Sequence, residues 1–157
     1  MAFSISSPAF DHDSVIPVNY TCDGDDLSPA LRWSGVPEGT ASLALIVDDP
    51  DAPDPAAPRL IWVHWLLYNL PADSDGLAEN IEQGLLPAGT LEGKNDWKRV
   101  GYGGPCPPVG QHRYFFRLYA LDTVLPDLGE PDRSRLEQAM DGHILAEATL
   151  MGTYSRS

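Results

Sequence analysis

The chain has 157 residues, 43% hydrophobic and 21% charged, with a formal net charge of −13. That length fits one domain able to bury about two-thirds of its unfolded surface, so the fold needs neither a disulfide nor a metal to be viable. The negative charge repels a phosphate backbone and an anionic bilayer, which argues against nucleic acid and membrane surfaces as partners. No apolar run approaches the roughly 18 residues of a membrane span. The first residues, Met1 to Ser6, carry no basic region followed by an apolar stretch, so no secretory leader is expected and the protein is expected to be cytoplasmic. In that reducing compartment Cys22 and Cys106 are expected to be free, buried thiols, and their wide separation matches no zinc spacing.

Taken in order, residues 3–6 read as a short first strand. Val15 to Thr21 reads as an edge strand, because Pro17 cannot donate to a central ladder. Cys22 to Pro29 is a loop of turn-forming residues; its aspartates superficially resemble a calcium loop, but the closing acid and flanking helices of an EF-hand are missing. Ala30 to Trp33 is a strand candidate. Ser42 to Asp48, S-L-A-L-I-V-D, is apolar on both faces and reads as a central strand. It runs into the proline-stiffened acidic loop Asp48 to Pro55. Ile61 to Leu70 is the next central strand, and strict alternation would put Trp62, His64, Leu66 and Tyr68 on one face and Ile61, Val63, Trp65 and Leu67 on the other. Residues 72–100 form a long polar excursion with one short strand or turn, and contain Asn95-Asp96-Trp97. Gly103 to Tyr114, G-G-P-C-P-P-V-G-Q-H-R-Y, mixes residues that fix φ with residues that free it, so it sets a particular loop shape at a strand start. Arg113 to Asp122 is the third strong strand. Glu130-Pro131 marks a helix start, with Leu136, Ala139 and Met140 at helical spacing. His143 to Ala148 is expected as a second short helix and Thr149 to Tyr154 as a closing strand. Strands early and helices late, without strand–helix alternation, predict a β-rich or α+β fold with an antiparallel sheet.

Three pieces lie at strand ends: Asp49-Pro50-Asp51-Ala52-Pro53, His64, and the loop that ends in His112-Arg113-Tyr114. If the three strong strands are neighbours, these pieces converge on a pocket with two imidazoles, a phenol and glycine-loop N–H groups. Such donors suit a small oxyanion such as phosphate. The carboxylates would orient the imidazoles and raise their pKa toward the charged donor form. Each residue also has a plainer role: His64 as a satisfied core histidine, Asp49 and Asp51 as turn acids, Tyr114 as core.

The phrases D-P-D-A-P at 49–53, W-V-H-W at 62–65 and G-P-C-P-P-V-G-Q-H-R-Y at 104–114 resemble the paired signatures of the phosphatidylethanolamine-binding protein family, which includes the Raf-kinase-inhibitor-like proteins. C-D-G at 22–24, S-P at 28–29, N-D-W at 95–97 and G-T-Y at 152–154 are similar to its small bacterial and archaeal branch. The resemblance spans essentially the whole chain. It implies a large antiparallel sheet packed on a smaller one, with short helices near the C-terminus. It also implies a small pocket for phosphate, acetate or a phosphoethanolamine-like head group. By motif position Asp49, Asp51, His64, His112 and Tyr114 would line that pocket, Gly104 and the prolines after it would shape its wall, and Ala52-Pro53 would be a cis bond. Cys22 and Cys106 fall in motif positions, which would place them near each other at the pocket rim. A homodimer is implied by the same branch. Kinase binding does not carry over, because the segment between Pro53 and Trp62 is short.

The expected function is therefore a non-enzymatic binding protein for a small oxyanion or phosphorylated ligand, without cofactor or metal. A regulator of a protein partner such as a kinase or protease comes second, and no residue names that partner. A hydrolase comes third: two aspartates and two histidines could run acid–base or metal chemistry, but no H-E-x-x-H or G-x-S-x-G pattern is present.

Overall fold

The apolar runs of the sequence become the middle of a six-stranded sheet. In a computed structural model that describes residues 2–156, the strands are β1 (Ser4–Ser6), β2 (Ser14–Val15), β3 (Leu31–Ser34), β4 (Ser42–Ala52), β5 (Leu60–Pro71), β6 (Gly76–Leu77), β7 (Leu91–Glu92), β8 (Gln111–Leu121) and β9 (Ile144–Ser155). The larger sheet runs β2-β9-β8-β4-β5-β7 and the smaller β1-β3-β6. All pairings are antiparallel except β2 with β9. The three strong strands are thus neighbours, with β4 between β8 and β5.

Alternation along β4 builds two cores. Leu43, Leu45 and Val47 face the smaller sheet, where they meet Leu31, Trp33, Tyr114, Phe116 and Leu118. Ala44 and Ile46 face the other way, onto Leu136 and Met140 of helix α1 (Arg133–Met140). Each fully buried Leu or Ile contributes about 1.5–3 kcal/mol of transfer free energy, so this double-faced strand anchors both layers. Asp132 caps α1 by accepting the Arg135 N–H at 2.9 Å; Pro131 lies just before the cap rather than at the first helical position.

Two expectations are corrected at the ends of the chain. His143 to Ala148 is not a second helix, because Ile144 already pairs with Leu121 and the strand continues unbroken to Ser155. A ladder on β8 outweighs the weak local helix signal of that segment. Val15 to Thr21 is divided, with β2 stopping at Val15 and a 3₁₀ turn following at Val18–Tyr20. The polar excursion contains two short strands, β6 and β7, instead of one.

Candidate functional site

Asp48 and Asp49 leave β4 on opposite faces because the alternation of the strand continues through them. Asp49 therefore points to the same side as Leu45 and Val47. On β8 the register places His112 and Tyr114 on that side as well, in line with Phe116 and Leu118.

His64 reaches this side through an irregularity. Val47 pairs with Trp65 and Asp48 with Val63, so His64 is the extra residue of a β-bulge. Above the bulge Trp65 and Leu67 face the smaller sheet; below it Val63 joins Leu66 and Tyr68 in the helix-side core. Strict alternation therefore fails here. Without the extra residue, His64 would share a face with Leu66 and Tyr68 and miss the pocket.

These residues surround a cavity of about 300 Å³, lined by Asp49, Ala52, Pro53, Leu60, Trp62, His64, Trp97, Cys106, Pro107, Pro108, His112 and Tyr114. The Ala52–Pro53 bond is cis. Of the residues singled out in the sequence, Asp49, Pro53, His64, His112 and Tyr114 come together at this cavity. Asp51 and Gly104 do not line it. Asp51 turns to Arg113, which donates from Nε and Nη2 at 2.9 Å each and from its backbone N–H at 2.9 Å. Those bonds hold the Asp51 carboxyl below the usual range and tie the end of β4 to β8. Gly104 is a close-approach residue: a Cβ there would lie 2.3 Å from Asp26 Oδ1 and 2.4 Å from the Tyr20 carbonyl. Its N–H donates to Asp26 Oδ1 at 2.8 Å, and the Gly103 N–H donates to the His64 carbonyl at 3.0 Å. The Gly103 and Gly104 N–H groups are thus spent on the protein, not aimed at a ligand.

The two histidines differ from each other. The His64 Nδ1–H donates to the Gly103 carbonyl at 2.6 Å, which leaves Nε2 as the free nitrogen, with no partner among the described residues. Burial lowers the His64 pKa to about 4, so the ring is neutral near pH 7 and Nε2 is an acceptor. The expected charged donor form is not what this environment favours, since desolvation outweighs the carboxylates nearby. His112 is saturated: Nδ1 meets Asp49 Oδ2 at 2.5 Å, and Nε2 lies 2.9 Å from the Val109 carbonyl, which can only accept. Asp49 also accepts the Asp51 N–H at 2.8 Å on Oδ1. Because the His112 Nε2–H donates to the Val109 carbonyl, the 2.5 Å contact at Nδ1 holds a proton between imidazole and carboxyl, and the pair carries no net charge. Burial pushes the Asp49 carboxyl up. Between them sits Tyr114, whose ring meets His64 edge-on at 5.2 Å. Its hydroxyl is buried without a hydrogen-bond partner among the described residues, and burial and the Asp49 carboxyl both push its pKa up. It is a neutral O–H donor with the Asp49 carboxyl nearby but outside hydrogen-bond geometry.

The outer wall comes from the N-D-W segment. Asn95 Oδ1 accepts the Trp97 N–H at 3.0 Å, and Asp96 Oδ2 accepts the Val63 N–H at 2.7 Å. The turn so braced lays Trp97 over Gly103, where a Cβ would lie 2.3 Å from the indole, and sets it edge-on to His64 at 5.0 Å. Trp62 meets Trp97 edge-on at 5.5 Å. Pro107 and Pro108 form the wall expected of the prolines after Gly104, and Cys106 lies at the rim; Leu60, Trp62 and Trp97 are lining residues that the sequence does not single out, although W-V-H-W and N-D-W contain the two tryptophans.

Cys22 and Cys106 are not free thiols. They form a disulfide with 5.4 Å between Cα atoms, closing 84 residues of chain. The reasoning from compartment to thiol fails because the register of two loops, not the compartment, sets whether the sulfurs meet. The bridge ties the pocket wall at Cys106 to the exposed loop at Cys22.

A family model described as phosphatidylethanolamine-binding protein matches residues 6–155. The chain belongs to the phosphatidylethanolamine-binding protein family. A relative in Methanothermobacter thermautotrophicus, a UPF0098 protein, is 53% identical over 156 residues, covering 98% of this chain and 99% of the relative. The crystal structure of a phosphatidylethanolamine-binding protein homologue from Chlamydia trachomatis superposes with a TM-score of 0.90 at 42% identity, over 99% of each chain. The YbcL protein of E. coli, described as a member of the mammalian family, superposes with a TM-score of 0.89 at 31% identity over the full length of both chains. The strand-rich, two-sheet architecture with a late helix is the fold of this family, and a ligand-binding role is the general one for it. Among the described residues no helix is long and apolar enough to cross a membrane, and no group of metal-ligating side chains converges.

Proposed function

We propose that this member of the family is a non-enzymatic binding protein whose pocket takes a small, singly protonated oxyanion: a phosphate monoanion or a phosphomonoester that keeps one proton. The observation that carries this is the pairing on the cavity floor of an unpartnered donor, the Tyr114 hydroxyl, with a free acceptor, His64 Nε2. A P–O oxygen would accept from Tyr114 while a P–OH group donates to His64. A buried O–H without a partner costs about 1–3 kcal/mol, which such a ligand would recover. The neutral Asp49–His112 pair would supply position rather than charge, so a fully ionised dianion has no cation to meet. Leu60, Trp62, Trp97 and the prolines suit an apolar group carried by the same ligand. Asp51 and Gly104 act on this reading through Arg113 and the wall loop, not by contact.

A hydrolase reading has less support. Both His112 nitrogens are engaged and the cavity offers no activated nucleophile, so no side chain stands ready to attack or to relay a proton through His112. The cytoplasmic placement expected from the sequence sits poorly with an exposed disulfide, which favours an oxidising compartment.

Calorimetric titration with inorganic phosphate and phosphoethanolamine tests the proposal. Affinity should rise as pH falls from 8 to 6, because the second ionisation of a phosphomonoester lies near pH 6. It should drop in His64→Ala and in His112→Ala. Affinity that is unchanged in both variants, or that increases with pH, would sink the reading.

A further inference from the structure

One wall of the pocket is held by few bonds, and the strongest of them is redox-active. Residues 106–110 make no backbone–backbone hydrogen bond among the described residues, and their one hydrogen bond to a side chain is that of the Val109 carbonyl with His112. Upstream, the wall is fastened to the loop at 18–26 by the Tyr102 hydroxyl on the Tyr20 carbonyl at 2.8 Å, the Gly104 N–H on Asp26 at 2.8 Å, and the Cys22 N–H on the Pro105 carbonyl at 3.1 Å. The disulfide is the last fastening before the chain becomes free. Cys106 lines the cavity, whereas Cys22 is exposed to solvent, in a loop whose Asp23 is itself pinned by Tyr154 at 2.7 Å and by Arg156 at 3.1 Å. An exposed disulfide is open to attack by a solution thiolate, unlike one sealed in a core.

We propose that the Cys22–Cys106 disulfide is a redox latch on this pocket: oxidised, it holds the 106–110 wall in place, and reduced, it lets the wall open and weakens ligand binding. The second half of this statement rests on the oxyanion reading above; the first half does not. A small dithiol supplies the reductant. Its thiolate attacks the Sγ of Cys22, the exposed residue of the pair, the bond to Cys106 breaks, and the electron pair leaves on Cys106 Sγ, which takes a proton from water. The second thiolate of the reagent then attacks its own sulfur in the mixed disulfide and closes a cyclic disulfide, and Cys22 leaves as a thiolate. The protein gains two electrons and the reagent loses two. With Cys106 released, the Val109–His112 bond remains as the one tie beyond Pro105. Because His112 also holds Asp49, motion of the wall is felt on the cavity floor.

The test compares oxidised protein with protein reduced by dithiothreitol, with thiols titrated to prove complete reduction. Amide hydrogen exchange at Gly104 and Cys22, whose N–H groups donate to Asp26 and to the Pro105 carbonyl, should rise about tenfold or more on reduction, while β4 and β8 stay protected. Phosphate affinity should fall about tenfold, because a wall no longer pre-organised must be ordered on binding. Both should return on reoxidation. Cys22→Ser should show the loosened wall without reductant, and the wild-type comparison stands in if that variant does not fold. Exchange at Gly104 and Cys22 that does not change on full reduction overturns the latch. Exchange that rises with phosphate affinity intact overturns its control of binding. If the oxidised protein binds no phosphate while exchange still rises, the oxyanion reading falls and the latch is supported on its own.

Discussion

Asp48 and Asp49 are adjacent, both are buried, and they face opposite layers of the protein. On the helix side Asp48 accepts from Arg117 Nε at 2.9 Å and Nη2 at 3.2 Å, and Arg133 Nη1 lies 2.8 Å away. Arg117 also stacks over Phe115 at 4.4 Å. Two guanidiniums overcompensate one carboxylate. On the other side Asp49 meets one imidazole, in a neutral pair, beside an open cavity and an unpartnered phenol. The same residue type one position apart thus serves a closed joint on one face and an incomplete site on the other. Asp48 accepts two hydrogen bonds from Arg117, whereas the Tyr114 hydroxyl is left open beside the cavity, where a ligand can relieve the cost.

The largest expected effect belongs to the closed joint. Asp48→Asn leaves Arg117 without its paired carboxylate and Arg133 with Glu137 alone. Breaking a fully buried pair costs about 3–5 kcal/mol, and the partial exposure of both arginines puts the loss near the lower end, at about 3 kcal/mol. For a chain of this size that is a fall of about 6–10 °C in Tm by calorimetry. Phosphate affinity of the folded variant should stay within about twofold, since nothing on the pocket side is touched. A stable variant with lost affinity would break the comparison.

Next in size is the pH dependence of the open side. The His64 pKa is about 4 in the fold against 6.5 unfolded. Between those values the unfolded chain binds more protons, so stability rises with pH through the window; the contribution is complete above about 6.5 and is lost as pH falls toward 4. At pH 4.5 the loss should be roughly 2 kcal/mol, read as a shift in urea midpoint. Asp49, whose carboxyl is raised, works in the opposite sense and blunts the curve. His64→Asn keeps an amide donor for the Gly103 carbonyl without the titrating ring, so its acid limb should be flatter. Equal slopes in variant and wild type would remove His64 from the account.

Local pattern carried much of this molecule, and register carried the rest. The apolar runs at 42–48, 61–70 and 113–122 announce three strands because burial on both faces leaves no other reading, and the motifs at their ends mark Asp49, His64, His112 and Tyr114. What the pattern could not show depends on pairing across the sheet. The bulge at His64 exists because Val47 and Asp48 are opposed to Trp65 and Val63, a two-against-three count that no single strand displays. Asp51 and Asp49 look alike in D-P-D, yet one meets Arg113 and the other His112, since they leave different sides of an irregular strand end. The Asp48–Arg117–Arg133 joint brings together three segments far apart in sequence. The disulfide likewise depends on where two loops cross. Even the glycines of the wall were legible only as a shape: their tightness against Asp26 and Trp97 is tertiary.

The smallest effect on stability decides most about the site. Tyr114→Phe removes a hydroxyl that has no partner and leaves the ring, its contact with His64 and its place in the core unchanged. Loss of an ordinary buried O–H with a good partner costs about 1 kcal/mol; here the buried O–H has none, so the variant should range from no change to about 1 kcal/mol more stable. Its affinity for phosphate should nevertheless fall about tenfold, the worth of one hydrogen bond to a charged acceptor. Stability and binding would then move in opposite directions on a single atom, which a purely structural tyrosine cannot produce. Should Tyr114→Phe bind phosphate like wild type, the open donor is a packing imperfection, and the contrast between the two aspartates becomes one of two structural joints.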